Sequence, residues 1–365
     1  MMRALDATLR LERWSDPTSR SALGPRWSGT PPIVHTRKGD NCGEFNRGFQ
    51  DGSLFVQRRA GFSRNWGCWL ADEVFEYLLA DPQVSMEIWT QLWRDRCAGG
   101  NYEDTITAFI GNKTQYDLLL SILAGMFNKM RNAYTGMGFH FEWTTNRVFQ
   151  VHTFLQRFDA IFTLNQDTLL EHHYLTQFLP SRPDNRWPDW DMPGLIHTRG
   201  PSGIKNATAP KTIDGSAFAL QPRSQPYLKL HGSHDWTTSS GYLLITGGNK
   251  ETAIGEIPLL TAYLNHFRTS VCSEHARLMI IGYSFGDRHI NSILLDAARV
   301  GAKFFVVDTA GVNVLYKQPH GGAVGQTLRD QMWPSVIGGS RRPLTSTFNN
   351  DRIEHDKLSD FFHYL

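Results

Sequence analysis

The sequence is short of cysteine, of long apolar runs and of net charge, and each shortage removes a class of protein. Cys42, Cys68, Cys97 and Cys272 are widely separated and form no Cys-x-x-Cys pair. Neither a zinc ribbon nor a disulfide framework is therefore supported, no metal is expected, and a reducing cytoplasm is the simplest setting. No run of about eighteen apolar residues occurs, so no membrane span is expected. The N-terminus lacks the apolar segment of a signal peptide, and its Asp and Glu residues argue against a transit peptide. Lys plus Arg number 37 against 35 for Asp plus Glu. Residues 1–52 hold 8 basic and 6 acidic residues, which leaves 29 of each beyond them. No basic domain points to nucleic acid. Internal repeats and low-complexity tracts are also missing.

What is present is a chain of 365 residues, 41% hydrophobic, enough for one large or two smaller cores. In residues 1–52, Arg, Ser, Gly and Pro are scattered without apolar periodicity, as in the Gly24–Pro32 stretch. This reads as a flexible N-terminal extension, with a binding arm as the functional alternative. Ser53–Val56 is a short β-like run leading to Arg59-Ala60-Gly61-Phe62-Ser63. Residues 69–157 show helical spacing, for example at Leu118, Leu119, Ile122 and Met126, interrupted by Gly99-Gly100.

The chain is organised around Phe158–Glu171, where an apolar run ends in Asn165-Gln166-Asp167 and passes at once into a helical pattern. A buried strand feeding a helix puts such polar residues beyond the strand's C-terminal end, where open parallel sheets bind ligands. Asp167 or Thr168 also suits a helix N-cap, and Thr168-x-x-Glu171 fits a capping box. Three more junctions repeat the pattern. Tyr227–Leu230 runs into a loop starting at His231-Gly232, with His234 close behind. The Ala276–Ile281 run meets Gly282-Tyr283-Ser284, with Asp287, His289 and Asn291 in the following turn. Lys303–Val307 ends at Asp308. A cap or turn role is open for Asp287 and Asp308, and first-turn hydrogen bonding for His289 and Asn291. The helix after Asp167 is expected over Leu169–Leu179. Residues 180–226, rich in Pro, Asp, Arg, Gly and Ser, read as a lid or partner-binding segment. From Gln318 onward only the end, Leu358–Leu365, shows an apolar face.

Taken together, Thr-Leu-Asn165-Gln-Asp167, Leu-His231-Gly and Ile-Gly282-Tyr-Ser284-Phe-x-Asp-x-His-Ile-Asn resemble the sirtuin-like NAD-binding family, in the branch of NAD-hydrolysing antiphage proteins. The resemblance spans roughly residues 53–316. It implies a doubly wound, Rossmann-like parallel α/β sheet in one domain over 53–365, with 69–157 as a helical insertion. Ala60, Gly61 and Ser63 match the family's phosphate-binding loop, in which small residues let the backbone approach the dinucleotide. Arg59 stands where that loop has its first Gly. NAD is the implied substrate, with Asn165 and His231 catalytic and Asp167, Gly282, Ser284 and Asp308 on the nucleotide. An unperturbed His has a pKa of about 6.5 and suits a general base. The missing paired cysteines turn the reading from protein deacylation towards NAD cleavage to nicotinamide and ADP-ribose. The resemblance also implies defence by NAD depletion, assembly as a homo-oligomer, and a HerA-type ATPase or short Argonaute as partner. The alternative is a non-catalytic scaffold or sensor that binds NAD or ADP-ribose, which Arg59 favours.

Overall fold

The computed structural model describes residues 69–136, 142–178, 186–201, 203–214, 218–238, 241–247, 249–316 and 327–363. The extension over 1–52, the run Ser53–Val56, Arg59 and the loop residues Ala60, Gly61 and Ser63 lie outside the described residues.

Helices dominate the first part: α1 (Trp69–Ala80), α2 (Met86–Cys97), α3 (Tyr102–Thr107), α4 (Lys113–Gly136) and α5 (Val151–Leu155). Local chemistry sets several of the ends. The Ser85 hydroxyl accepts the Ile88 N–H and starts α2, and the Asn101 side chain accepts the Glu103 N–H and starts α3. Gly99, with φ +71°, ends α2 in the left-handed region. Val74, Phe75 and Leu78 of α1 are buried with Ile88 and Leu92 of α2 and Leu119 and Leu123 of α4. Cys97 is disulfide-bonded. The spacing of the cysteines gave no reason to expect that bridge, because distant residues meet only through folding.

Beyond α5 the chain alternates strands and helices. The strands are β1 (Ile161–Thr163), β2 (Asp189–Asp191), β3 (Leu195–Ile196), β4 (Lys211–Ile213), β5 (Ser224–Lys229), β6 (Gly232–Thr238), β7 (Gly241–Leu244), β8 (Arg277–Ile281), β9 (Lys303–Val307) and β10 (Val336–Ser340). The helices are α6 (Leu169–His173), α7 (Lys250–Gly255), α8 (Pro258–Val271), α9 (Arg288–Arg299), α10 (Leu328–Met332), α11 (Leu344–Thr347) and α12 (Arg352–Asp360). One parallel sheet has the order β1-β5-β2 and a second the order β10-β9-β8. The fold is thus α/β with parallel sheets, in keeping with a Rossmann-like architecture. The third sheet, β3-β4-β6-β7, is mixed.

The inner edges of β1 and β8 have no strand partner on one side among the described residues. Between them lies a cavity of about 550 Å³, lined by apolar side chains that include Ile161, Phe162, Leu278 and Ile280. Its body suits main chain and apolar groups. The end at Asn165, Gly282 and Tyr283 meets the candidate site, while the opposite end carries Arg157, Asp159, Glu274 and Arg277.

Two local expectations are corrected, and two further segments become ordered elements. The helix expected over Leu169–Leu179 is one short α-helix ending at His173, followed by a 3-10 turn at Leu175–Gln177. The described parts of the 180–226 segment supply β2, β3, β4 and the start of β5, and bury Trp190 and Met192. His231-Gly232 opens no loop, for β6 begins at Gly232 as the chain turns from the first parallel sheet into the mixed one. A Cβ at Gly232 would stand 2.2 Å from the Leu243 carbonyl oxygen, and its φ is +72°, so only glycine makes this turn. In the Gly- and Pro-rich stretch after Gln318, β10 pairs in parallel with β9. Gly338 and Gly339 are there because a Cβ would come within 2.6 Å of the Phe305 ring and 2.9 Å of the Val306 carbonyl.

Candidate functional site

Parallel pairing brings the first group of residues level. Thr163 of β1 is in register with Lys229 of β5, and the Leu230 N–H donates to the Thr163 carbonyl. Asn165 and His231, each two residues further on, therefore leave adjacent strands at the same height. Asn165 is 7% exposed, and its side-chain amide makes no hydrogen bond among the described residues, although its backbone N–H donates to Thr163 Oγ1. Asn165 lines the cavity, and its amide atoms are not among the fully enclosed unpartnered ones, so they are open to a partner there.

The loop that carries Asn165 is held from below. The Gln166 amide donates to the carbonyls of Ile245 and His231. The Gln166 carbonyl accepts from the His234 backbone N–H, from His234 Nδ1 at 2.9 Å and from Ser233 Oγ. The carbonyl of Asp167 accepts from Lys229 Nζ, which also pairs with Glu171 at 2.6 Å. Lys229 and Glu171 are 0% and 1% exposed. Burial pushes the Glu171 carboxyl up, against the pull of Lys229. In Asp235, burial is outweighed by Lys211 and Lys229, and the carboxyl lies below its usual value. His234 sits against Phe127, and burial drives its pKa down to about 4. It is a neutral brace that donates from Nδ1.

Asp167 is near the site but one of its oxygens is committed, since Oδ1 accepts the Leu169 N–H and caps α6. The capping box expected from Thr168 and Glu171 does not form. The Thr168 hydroxyl makes no cap bond, and Glu171 turns inward to Lys229.

The second group sits at the ends of β8 and β9. Gly282, at φ +62°, donates its N–H to Val307, and Asp308 follows Val307 directly. The Ser284 hydroxyl makes no hydrogen bond among the described residues and stands 3.4 Å from where a Cβ on Gly286 would be. Phe285 is buried with φ +54°, a conformation that side chains other than glycine's rarely adopt. It is over-determined by its neighbours. Asn291 Nδ2 donates to the Phe285 carbonyl, and the Tyr283 hydroxyl donates to Asn291 Oδ1 and accepts the Asp287 N–H. Asp308 Oδ1 accepts the Ala310 N–H, so one oxygen serves the turn.

Asp287 does not cap α9 with its side chain; it pairs with Lys250 at 3.0 Å, and Lys250 pairs with Glu103 of α3 at 2.8 Å. Burial acts to raise the Asp287 carboxyl, but His231, Lys250 and His289 together hold it well below the usual range. For Lys250, burial is outweighed by Glu103 and Asp287, and the pKa is raised.

The two groups touch through histidine. His231 Nε2 lies 3.1 Å from His289 Nε2, with ring centroids 5.2 Å apart. Asn165, His231 and Gly282 thus gather at one end of the parallel strands, with Ser284 in the same loop as Gly282 and Asp308 at the register-matched end of β9. Sequence reading missed the roles of Lys229, Glu171, Lys250 and His289 here. The sequence singled out Glu171 only as the end of a capping box and His289 only as a motif residue open to first-turn hydrogen bonding, and it gave no signal for Lys229 or Lys250. Among the described residues no group of three or more His, Cys, Asp or Glu side chains is placed to hold a metal. No helix among them is long and apolar enough to cross a membrane.

Residues 159–315 match the family described as SIR2-like domain, which spans β1 to the turn after β9 and supports a sirtuin-like family. No curated protein matches the chain. SIR2-like domains are in general NAD-dependent enzymes, so an activity on NAD is the functional class this match carries.

Proposed function

We propose that this site hydrolyses NAD between ribose and nicotinamide. The observation that carries the reading is the Asn165 amide, which makes no hydrogen bond among the described residues, lines the cavity and is level with His231 on the adjacent strand. The carbon–nitrogen bond breaks with its electron pair going to the pyridinium nitrogen, so nicotinamide leaves neutral. Positive charge builds on the ribose ring, and water supplies the new carbon–oxygen bond. Asn165 orients the ribose or the water through its amide, and His231 takes the water's proton. Such a base typically contributes about 10²–10⁴-fold in rate. Ser284 and the Gly282 backbone serve the nucleotide, where a hydroxyl and a side-chain-free approach are needed. The Asp287 carboxylate, kept ionised, adds negative charge near the developing cation.

The physiological role in this proposal is antiphage defence by depletion of NAD. A permanently active NAD hydrolase would poison its own cell, so assembly restrains it, as a homo-oligomer or with a HerA-type ATPase or short Argonaute. Arg59, in the loop otherwise matching the phosphate-binding pattern, favours a second reading, a subunit that binds NAD or ADP-ribose without turnover.

Chromatography of NAD incubated with the purified protein and with Asn165→Ala tests both. Nicotinamide release is expected from the native chain. Release should fall about 10²–10³-fold in the variant, the scale for losing one oriented polar group. Equal release from both would remove Asn165 from the chemistry. Calorimetric binding of NAD without release would favour the second reading.

A further inference from the structure

We propose that Arg341 and Arg342 form a phosphate subsite at the adenosine end of the nucleotide crevice, so that NADP is taken as a substrate beside NAD. The placement follows from strand register. Val307 of β9 is level with Ile281 of β8 on one side and with Ser340 of β10 on the other. The next residue on each strand, Gly282, Asp308 and Arg341, therefore stands in one row at the C-terminal ends, where parallel sheets bind ligands. The Gly282 N–H donates to the Val307 carbonyl and the Asp308 N–H to the Ser340 carbonyl, which fixes the row. At about 4.8 Å per strand spacing, Arg341 begins about 10 Å from Gly282, with Asp308 between them.

The Arg341 side chain lies over the turn that follows Asp308. Its Nε donates to the Thr309 carbonyl at 3.4 Å, and its Cγ would stand 2.7 Å from a Cβ on Gly311. Gly311, at φ +57°, thus leaves the space that the arginine uses. Beyond that one bond the Arg341 guanidinium has no partner among the described residues, and exposed Arg342 makes no ion pair among them. Of the nearby carboxylates, Asp308 has one oxygen on the Ala310 N–H, and Glu354, which accepts from Ser340 Oγ, is paired with Lys357 at 2.6 Å. Two guanidiniums are thus left uncompensated at this strand end. A guanidinium matches a phosphate through two parallel N–H bonds, and a phosphate monoester near pH 7 carries about 1.5–2 negative charges. A ribose at Asp308 has Arg341 beside it, and a nearby arginine is what accommodates a 2′-phosphate in dinucleotide folds. This subsite rests on the reading of the crevice as a dinucleotide site. In NADP the same carbon–nitrogen bond breaks, its electron pair goes to the nicotinamide nitrogen, and water supplies the new carbon–oxygen bond of 2′-phospho-ADP-ribose.

Calorimetry with 5′-ADP and 2′,5′-ADP tests the subsite apart from hydrolysis. The native protein should bind 2′,5′-ADP about tenfold more tightly than 5′-ADP at low salt, and the gap should narrow as ionic strength rises. Arg341→Ala combined with Arg342→Ala should bring the two affinities together. Both side chains are exposed, so the fold tolerates the change. Equal binding of the two compounds by the native protein, or tighter binding of 5′-ADP, overturns the proposal and leaves the nucleotide reading standing. A preference that persists in the double variant also overturns it, because other groups then hold the phosphate. Binding of neither compound rejects the nucleotide reading together with the subsite. In turnover, kcat/KM for NADP relative to NAD should fall about tenfold in the double variant, mostly through KM, as expected for a contact kept from ground state to transition state. An unchanged ratio would count against the subsite.

Discussion

The two loops that meet at the site are held rigid in opposite ways. The Asn165–Asp167 loop rests on buried charge: Lys229 and Glu171, fully enclosed, with Lys211 and Asp235 beside them. The Gly282–Asp287 loop rests on strained backbone pinned by neutral hydrogen bonds, with an ion pair at its rim whose members are 13–18% exposed. Buried charge gives an all-or-none brace, because losing one member strands the other in a medium that cannot solvate it. A rim ion pair gives a graded one, since water can take over when a partner is lost. His231, at the end of β5 beside the first loop, meets His289, in α9 just beyond the second, at 3.1 Å between their Nε2 atoms.

The sharpest way to break this contrast is at Lys229. Lys229→Met leaves Glu171 buried and unpaired and should cost about 3–5 kcal/mol, seen as a lower urea midpoint. Adding Glu171→Leu should return much of that loss, since a pair replaced by apolar groups of similar size is often tolerated. If the single variant unfolds at the native midpoint, the brace is not electrostatic.

Somewhat smaller is the pH effect on the same side. His234 has its folded pKa lowered to about 4 from the ordinary 6.5. The unfolded chain therefore binds a proton before the folded one does. Stability from this group is intact above pH 6.5 and is lost as pH falls through about 4, a total of about 3 kcal/mol. His289 and His355, both lowered by burial, act in the same direction. Thermal melts between pH 7.5 and 4 should show the fall, and His234→Gln should flatten it. A native curve that is level across this range would contradict a neutral buried His234.

The smallest effect is expected on the other side. Lys250→Gln removes the pair to Asp287 and Glu103, and should lower stability by less than Lys229→Met, since its members are 13–18% exposed rather than fully enclosed. The same change lets the Asp287 carboxyl move up towards its ordinary pKa, because one of the charges holding it down is gone. A large stability loss here would mean that the rim pair behaves like the buried one, and the contrast between the loops would fail.

Much of this was legible because it is local. An apolar run that ends in a polar loop marks a strand feeding a site, and Asn165, His231 and Gly282 were recognised that way. Other parts were hidden for stated reasons. The two glycines of β10 carry no strand signal, and their reason is the approach of Phe305 and Val306, which exclude side chains there. Segment 186–226 lacks periodicity because its strands are only two or three residues long. Lys229 lies in a strand otherwise apolar around it and would ordinarily be read as a solvent-facing residue. Glu171 looked like the end of a capping box, yet Thr168 makes no such bond.

By itself, then, the sequence determined where strands end and which polar residues stand at those ends, since both follow from patterns a few residues long. The tertiary structure decided which ends share one site, which charges are enclosed, and that His231 meets His289, 58 residues away. Sheet order and side-chain burial depend on contacts between segments far apart in the chain. A buried lysine or a nitrogen–nitrogen hydrogen bond exists only where such contacts exclude water.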